Sequence, residues 1–132
     1  FAQAGAHVAI SYHSDEEVAL RTQRIPQEAG AQVVCMKADQ RDPQAVARLF
    51  EETERQLGTP TVLVNNAGTM GAQKPVSELS VQEWDDVLKT NLYGPFYCCK
   101  EFLARLNGNA EGSSIINITS VHQEIPAPGA SA

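Results

Sequence analysis

Two amides and a glycine at the end of an apolar run are the residues of this chain best suited to meet a ligand. Thr61-Val-Leu-Val-Asn-Asn-Ala-Gly68 stops abruptly after its apolar part. It reads as a parallel strand that ends at a sheet edge and presents backbone and side-chain polar groups there. A second candidate is Thr90-Asn-Leu-Tyr-Gly94-Pro95, in the middle of a helical pattern. Pro95 has no amide hydrogen, so the carbonyl of Asn91, four residues earlier, loses its helical partner. A kink is expected there, and a freed carbonyl can hold water. Ser11, Tyr12, His13 and Ser14 form a third group, able together to donate hydrogen bonds to a phosphate. Cys35, Cys98 and Cys99 are odd in number, lie in apolar segments and lack metal-ligand spacing. Adjacent Cys98 and Cys99 would pair only with strain, so all three read as buried thiols and no metal site is expected.

The elements that must position these residues alternate between strand and helix. His7 to Tyr12 is an apolar run of strand length, and Ser14-Asp-Glu-Glu17 has the form of a capping box opening a helix from about Asp15 toward Ala29. Pro26 predicts a break or kink near Ile25. Gly30 ends the segment, and Gln32 to Lys37 is the next strand. Asp42 caps a helix with Pro43 at its first position, where a missing amide hydrogen costs nothing; Val46, Leu49, Phe50 and Leu57 follow at helical spacing, and Gly58 stops it. After the strand Thr61 to Asn65 comes a Gly/Pro-rich loop, Gly68 to Val76. Ser80-Val-Gln-Glu83 then opens a long helix toward Leu106, whose apolar face can draw on Trp84, Val87, Leu88, Leu92, Phe96, Phe102 and Leu103. Ser113 to Ile118 is a fourth strand, and the rest is loop-like. Strands apolar on both faces, alternating with helices, imply an α/β doubly wound parallel sheet covered by helices.

A chain of 132 residues, 42% hydrophobic and 20% charged, fits one globular domain spanning 1–132. Its net charge of −6 argues against nucleic acid or an anionic membrane as partner, since basic residues are outnumbered and never cluster. No apolar run reaches the roughly 18 residues of a membrane helix and no signal peptide is visible, so a reducing cytoplasm is the expected location.

In this order, these features resemble the short-chain dehydrogenase/reductase family over nearly the whole chain. In that family Asn-Asn-Ala-Gly lines the nicotinamide cleft, here Asn66, Ala67 and Gly68. The strand ending Ile115-Ile-Asn-Ile-Thr-Ser120 would deliver the catalytic serine, Ser120, whose hydroxyl would hydrogen-bond the substrate oxygen during hydride transfer. Asn91 matches the helix asparagine whose backbone holds a water in the proton relay. Asp39, in Lys37-Ala-Asp39, matches the aspartate that accepts from the adenine amino group. Cofactor choice is set at the end of the first strand, where an aspartate would suit the ribose of NAD and a basic residue the 2′-phosphate of NADP. Ser11-Tyr-His13-Ser14 offers neither acid nor arginine, and its donors lean weakly toward NADP or dual use.

The resemblance also implies what is not in view. No Thr-Gly-x-x-x-Gly-x-Gly loop and no Tyr-x-x-x-Lys pair occurs, so the sequence reads as an internal part of a longer dehydrogenase. In the strand order 3-2-1-4-5-6 the first strand lies between those at His7 and Thr61. Without it the strand pairs keep unpaired edges that must close on one another, open to water or aggregate. Weak cofactor binding and no turnover are expected of this segment alone. Ser120-Val-His-Gln-Glu-Ile-Pro126-Ala-Pro128 is similar to the Ser-Val-His-Glu-x-Ile-Pro-x-Pro loop of bacterial glucose 1-dehydrogenases, placing His122 and Glu124 near a sugar. Ala127 replaces their tryptophan and weakens that substrate. The small-molecule substrate is otherwise an alcohol or carbonyl compound, as for a 3-oxoacyl or other carbonyl reductase. Tyr93, Phe96, Tyr97 and Phe102 could instead serve a noncatalytic nucleotide-binding or oligomerising subunit, since this helix packs across the family's tetramer. A methyltransferase or response regulator would not predict the ordered set Asp39, Asn66, Asn91 and Ser120.

Overall fold

The computed structural model describes residues 1–121, 124 and 125. After a short 3₁₀ turn at Ala2–Ala4 the order is β1 (Val8–Tyr12), α1 (Glu16–Glu28), β2 (Val33–Lys37), α2 (Pro43–Leu57), β3 (Val62–Asn65), α3 (Val81–Leu88), a π-helical turn (Lys89–Tyr93), α4 (Gly94–Arg105) and β4 (Ser114–Asn117). β1 pairs parallel with β2, Val8 opposite Val33 and Tyr12 opposite Lys37. β3 pairs parallel with β4, Val62 opposite Ser114 and Asn65 opposite Asn117. Each pair is a strand–helix–strand unit, and the two pairs are not hydrogen-bonded to each other.

The sheet therefore parts where a central strand was expected, and the pairs open to water rather than closing on one another. Side chains on both faces of β3 and β4 show the effect: Val62, Val64, Ile115 and Ile116 are 36–41% exposed. Strands this apolar belong in a sheet covered on both faces. The core lies instead between α2, α4 and β3. Val46, Phe50, Phe102 and Leu106 form it, with Leu63, Tyr97 and Cys98 packed around them, and Val46 and Phe102 are each 1% exposed. Burial also raises the Cys98 thiol to about 11, consistent with an inert apolar role.

Three local expectations change. The cap of α1 is Asp15, whose Oδ1 accepts from the Val18 amide at 2.9 Å, and not Ser14 one residue earlier; Glu17 pairs with Arg21 instead of closing a capping box. Asp and Ser cap equally well, so the letters left two registers open. Pro26 does not break α1, which runs on to Glu28. Only one carbonyl, that of the exposed Thr22, is deprived of its donor so near the helix end, while Pro26 itself is buried. The long helix toward Leu106 is two helices joined by the π-helical turn, in which the Gly94 amide reaches back five residues to the Lys89 carbonyl. Pro95 has no N–H to continue the tighter ladder, and widening one turn absorbs the loss. The division leaves Trp84, Leu92, Phe96 and Leu103 exposed, while Val87 and Phe102 point inward. The caps at Asp42 and Ser80 stand as expected, the latter as a full capping box with Glu83.

Candidate functional site

The carboxyl ends of β1, β2 and β3 share one cleft of about 460 Å³, walled by Ser11, Tyr12 and His13, by Ala38 through Arg41, by Ala67, Gly68 and Thr69, and on its far side by Gly71, Ala72 and the α3 side of Thr90. β1 and β2 run parallel, and the residues that follow β1, β2 and β3 meet at one rim, the place where open α/β sheets take their ligands. Of the residues read from sequence, Tyr12, His13, Asp39, Ala67 and Gly68 line this cleft. Asn91 adjoins it through a reciprocal pair: its Oδ1 accepts from the Thr69 amide at 2.9 Å and its Nδ2 donates to the Thr69 carbonyl at 2.7 Å. The Asn91 side chain thus clamps the loop after β3 to the π-helical turn. Ser14 and Asn66 are exposed and do not line the cleft.

Ser120 lies three residues past the end of β4. Because Asn65 and Asn117 are register partners and the Ile118 amide donates to the Asn65 carbonyl at 2.9 Å, β4 leaves the sheet on the same side as Asn66, Ala67 and Gly68. Ser120 and Glu124 are exposed and outside the cleft lining. His122 and Ala127 lie outside the described residues.

Asp39 has company that the sequence did not advertise. Its Oδ1 accepts from the Arg41 backbone amide at 2.9 Å and from Nε at 3.0 Å, its Oδ2 accepts from Arg41 Nη2 at 2.7 Å, and His13 Nε2 stands 3.3 Å from that oxygen. The Arg41 hydrogen bonds hold the Asp39 carboxyl below the usual carboxylate range, and the same bonds push the guanidinium higher still. An adenine amino group arriving at Asp39 would share oxygens that already accept from Arg41.

Gln40, between them, is a strut. Its Nε2 donates to the Ala67 carbonyl at 3.1 Å and to the Thr90 carbonyl at 2.7 Å, tying the loop after β2 to the loop after β3 and to the π-helical turn. The strut passes directly over buried Gly94, where a β-carbon would lie 2.8 Å from the Gln40 side chain. No linear motif marks Gln40. Arg41 sat in a charged run, Asp39 to Asp42, that also fits a solvated loop. Lys74 pairs with Glu83 at 2.8 Å, holding that carboxyl down to about 2 and fastening the Gly/Pro-rich loop to α3.

Gly71 shapes the cleft floor. It adopts φ of 63°, and a β-carbon there would lie 2.4 Å from Val87 Cγ2. Gly71→Ala combines a left-handed conformation with overpacking, so a loss of about 2–4 kcal/mol is expected from urea denaturation. A double-mutant cycle with Val87→Ala should recover the steric share; additive losses would show that the two do not meet.

Among the described residues no cluster of His, Cys, Asp or Glu could hold a metal ion, and no helix is long and apolar enough to cross a membrane.

Comparison with known proteins agrees with this geometry. Residues 1–132 match a family model described as enoyl-(acyl carrier protein) reductase. Glucose 1-dehydrogenase 2 of Bacillus subtilis (strain 168) is 32% identical over 128 residues, which is 97% of this chain and 50% of that relative. Among solved structures, a short-chain dehydrogenase/reductase from Serratia marcescens superposes with a TM-score of 0.89 at 30% identity, covering 98% of this chain and 52% of that one. A blue fluorescent protein from a metagenomic library, in complex with NADPH, superposes with a TM-score of 0.83 at 31% identity over 93% of this chain and 49% of its own. The chain thus spans about half the length of the relatives it matches. With the family model matched from end to end and a parallel-strand cleft where the motif residues meet, the chain belongs to the short-chain dehydrogenase/reductase family.

Proposed function

We propose that this chain contributes the cofactor cleft and the catalytic serine of an NAD(P)-dependent oxidoreductase that moves a hydride between the nicotinamide and a small alcohol or carbonyl compound. One observation carries the reading: Asp39, Gly68 and the Asn91 clamp, far apart in sequence, adjoin a single cleft at the carboxyl ends of parallel strands. The donor set fits a dinucleotide. Ser11, Tyr12 and Arg41 line the cleft beside β1 and β2, where an adenosine ribose would be held, and Ala67 and Gly68 line the β3 side, leading toward the nicotinamide. A bound NAD(P) would supply the hydride donor or acceptor.

Ser120 is assigned the hydrogen bond to the substrate oxygen, stabilising the charge that gathers there in the transition state. Asn91 is assigned the backbone that orders a relay water, with its side chain fixing the loop after β3. Likeness to a glucose 1-dehydrogenase supports a sugar as substrate, with Glu124 and His122 near it; the family description favours a carbonyl reductase as the second reading. Of the helix aromatics read as an interface, Phe102 is buried in the core and Tyr97 packs against it, so it is the exposed Leu92, Tyr93, Phe96 and Leu103 that support assembly into a homo-oligomer, a tetramer as in the family. The 132 residues contain no Tyr-x-x-x-Lys pair, so the acid/base step lies outside their means.

The test is a purified 132-residue polypeptide mixed with NADP(H) or NAD(H) and a panel of sugars and 3-oxo compounds. No turnover above the blank is expected, while NADPH at high concentration should slow amide exchange at Tyr12–His13, Asp39–Arg41 and Ala67–Thr69. Protection elsewhere would end the cleft assignment, and measurable turnover would end the division of labour.

A further inference from the structure

Among the described residues, the one guanidinium that lines this cleft stands on the loop after β2 and not at the end of β1. β1 ends in Ser11, Tyr12, His13 and Ser14, with no carboxylate to accept from a ribose diol. The carboxylate that lines the cleft beside these residues, Asp39, has both oxygens already accepting from Arg41 at 2.7–3.0 Å. A diol bound there would have to displace a charge-assisted fork, which is the stronger bond. Meanwhile the guanidinium crosses from the loop after β2 to the end of β1: Arg41 Nη2 is 3.3 Å from His13 Nε2.

We propose that Arg41, held in place by Asp39 and flanked by His13, recognises the ribose 2′-phosphate, so that this cleft selects NADP over NAD. This rests on the nicotinamide-cofactor reading above and names the residue that decides between the two cofactors. Arg41 is the one Lys or Arg lining the cleft among the described residues. Its Nε and Nη2 are spent on Asp39, while Nη1 makes no hydrogen bond among the described residues and the side chain is 36% exposed. Asp39 thus acts as a positioning residue. It fixes the plane of the fork and leaves one edge for an anion, a geometry that a lysine cannot reproduce. Glu83 and Asp86 also line the cleft from α3 and oppose an anion. Glu83 is paired with Lys74 and Asp86 accepts from Gln82 Nε2 at 2.9 Å, so neither reaches across to take the guanidinium from Asp39.

The decisive experiment titrates the protein with adenosine 2′,5′-bisphosphate, its 3′,5′ isomer and adenosine 5′-monophosphate, following backbone amide shifts of Asp39, Arg41 and Gly68 by NMR. The 2′,5′ isomer should bind on the order of 10-fold more tightly than the other two. Arg41→Ala should bring that ratio to about 1 and leave the monophosphate within about twofold, and Arg41→Lys should recover only part of it. Asp39→Asn separates positioning from bulk charge. Removing an anion beside the site would strengthen phosphate binding if net charge alone mattered, whereas loss of the fork's anchor weakens it, and weakening is expected. Equal binding of the two bisphosphates, or an unchanged ratio in Arg41→Ala, overturns the assignment and leaves the dehydrogenase reading standing. Absence of any shift at the three amides with all three nucleotides overturns both.

Discussion

Phe102→Ala is expected to remove about 3–5 kcal/mol of stability, a large share of the roughly 5–15 kcal/mol that holds a domain together. The position follows from the divided sheet. With β1–β2 and β3–β4 unjoined, the strands cannot pool their apolar faces, and the buried contacts concentrate where α2 meets α4. Phe102 and Val46 are the largest side chains fully shielded there, and Phe50, Leu106 and Leu63 pack around them. Truncating the ring opens a cavity that neighbours from three elements would have to collapse to fill. Phe96 is the internal control: the same residue type on the same helix, but 60% exposed, so Phe96→Ala should cost within about 0.5 kcal/mol. Urea melts followed by circular dichroism give both values. Equal midpoints would mean that the α2–α4 contact is not the core.

The fold was legible where the local rules point one way. Asp42-Pro43 and Ser80 with Glu83 announced helix starts because the cap, the missing amide hydrogen and the reciprocal carboxylate agree there. The four strands were legible because β-branched runs end at polar residues or glycine. At Ser14-Asp15 two good caps sit side by side, and only the tertiary placement of α1 chose the second. Pro26 was misread because the cost of a helical proline depends on how much helix follows it. Pro95 was read correctly as a perturbation, but the loss of its N–H is absorbed by a π-helical turn rather than a simple kink. The site divides the same way. Asn66, Ala67, Gly68 and Asn91 could be read from short motifs, whereas Gln40 and Arg41 act through side chains that cross to other elements, and a linear pattern has no mark for such crossings. Residues from different loops meet at one rim, so the proposed discrimination by Arg41 could not be read from the end of β1 alone.

Ser120→Ala, placed in a longer chain that also carries a Tyr-x-x-x-Lys pair, is expected under the proposed role to lower kcat by on the order of 10²-fold with KM little changed, since a preorganised donor aimed at developing charge acts mainly in the transition state. The geometric ground is the register of β4. Asn117 stands opposite Asn65, the Asn65 amide Nδ2 donates to Asn117 Oδ1 at 2.8 Å, and the ladder continues through Ile118, so the two strands end together and their following residues leave on one side. Ser120 is therefore delivered to the same rim as Gly68, although β4 lies one strand farther from the cleft that takes the adenosine half. That separation suits the proposed division, with the nucleotide recognised by Asp39 and Arg41 at one end and the chemistry beside β3 and β4 at the other. The two ends should then be separable by mutation. Ser120→Ala should leave the affinity for adenosine 2′,5′-bisphosphate untouched while the rate falls, and Arg41→Ala should do the reverse, raising KM for NADPH with kcat nearly preserved. A Ser120→Ala protein with undiminished kcat would remove the hydroxyl from the reaction. If nucleotide affinity fell along with the rate, Ser120 would instead be a part of the binding surface, and the separation of the two ends would fail with it.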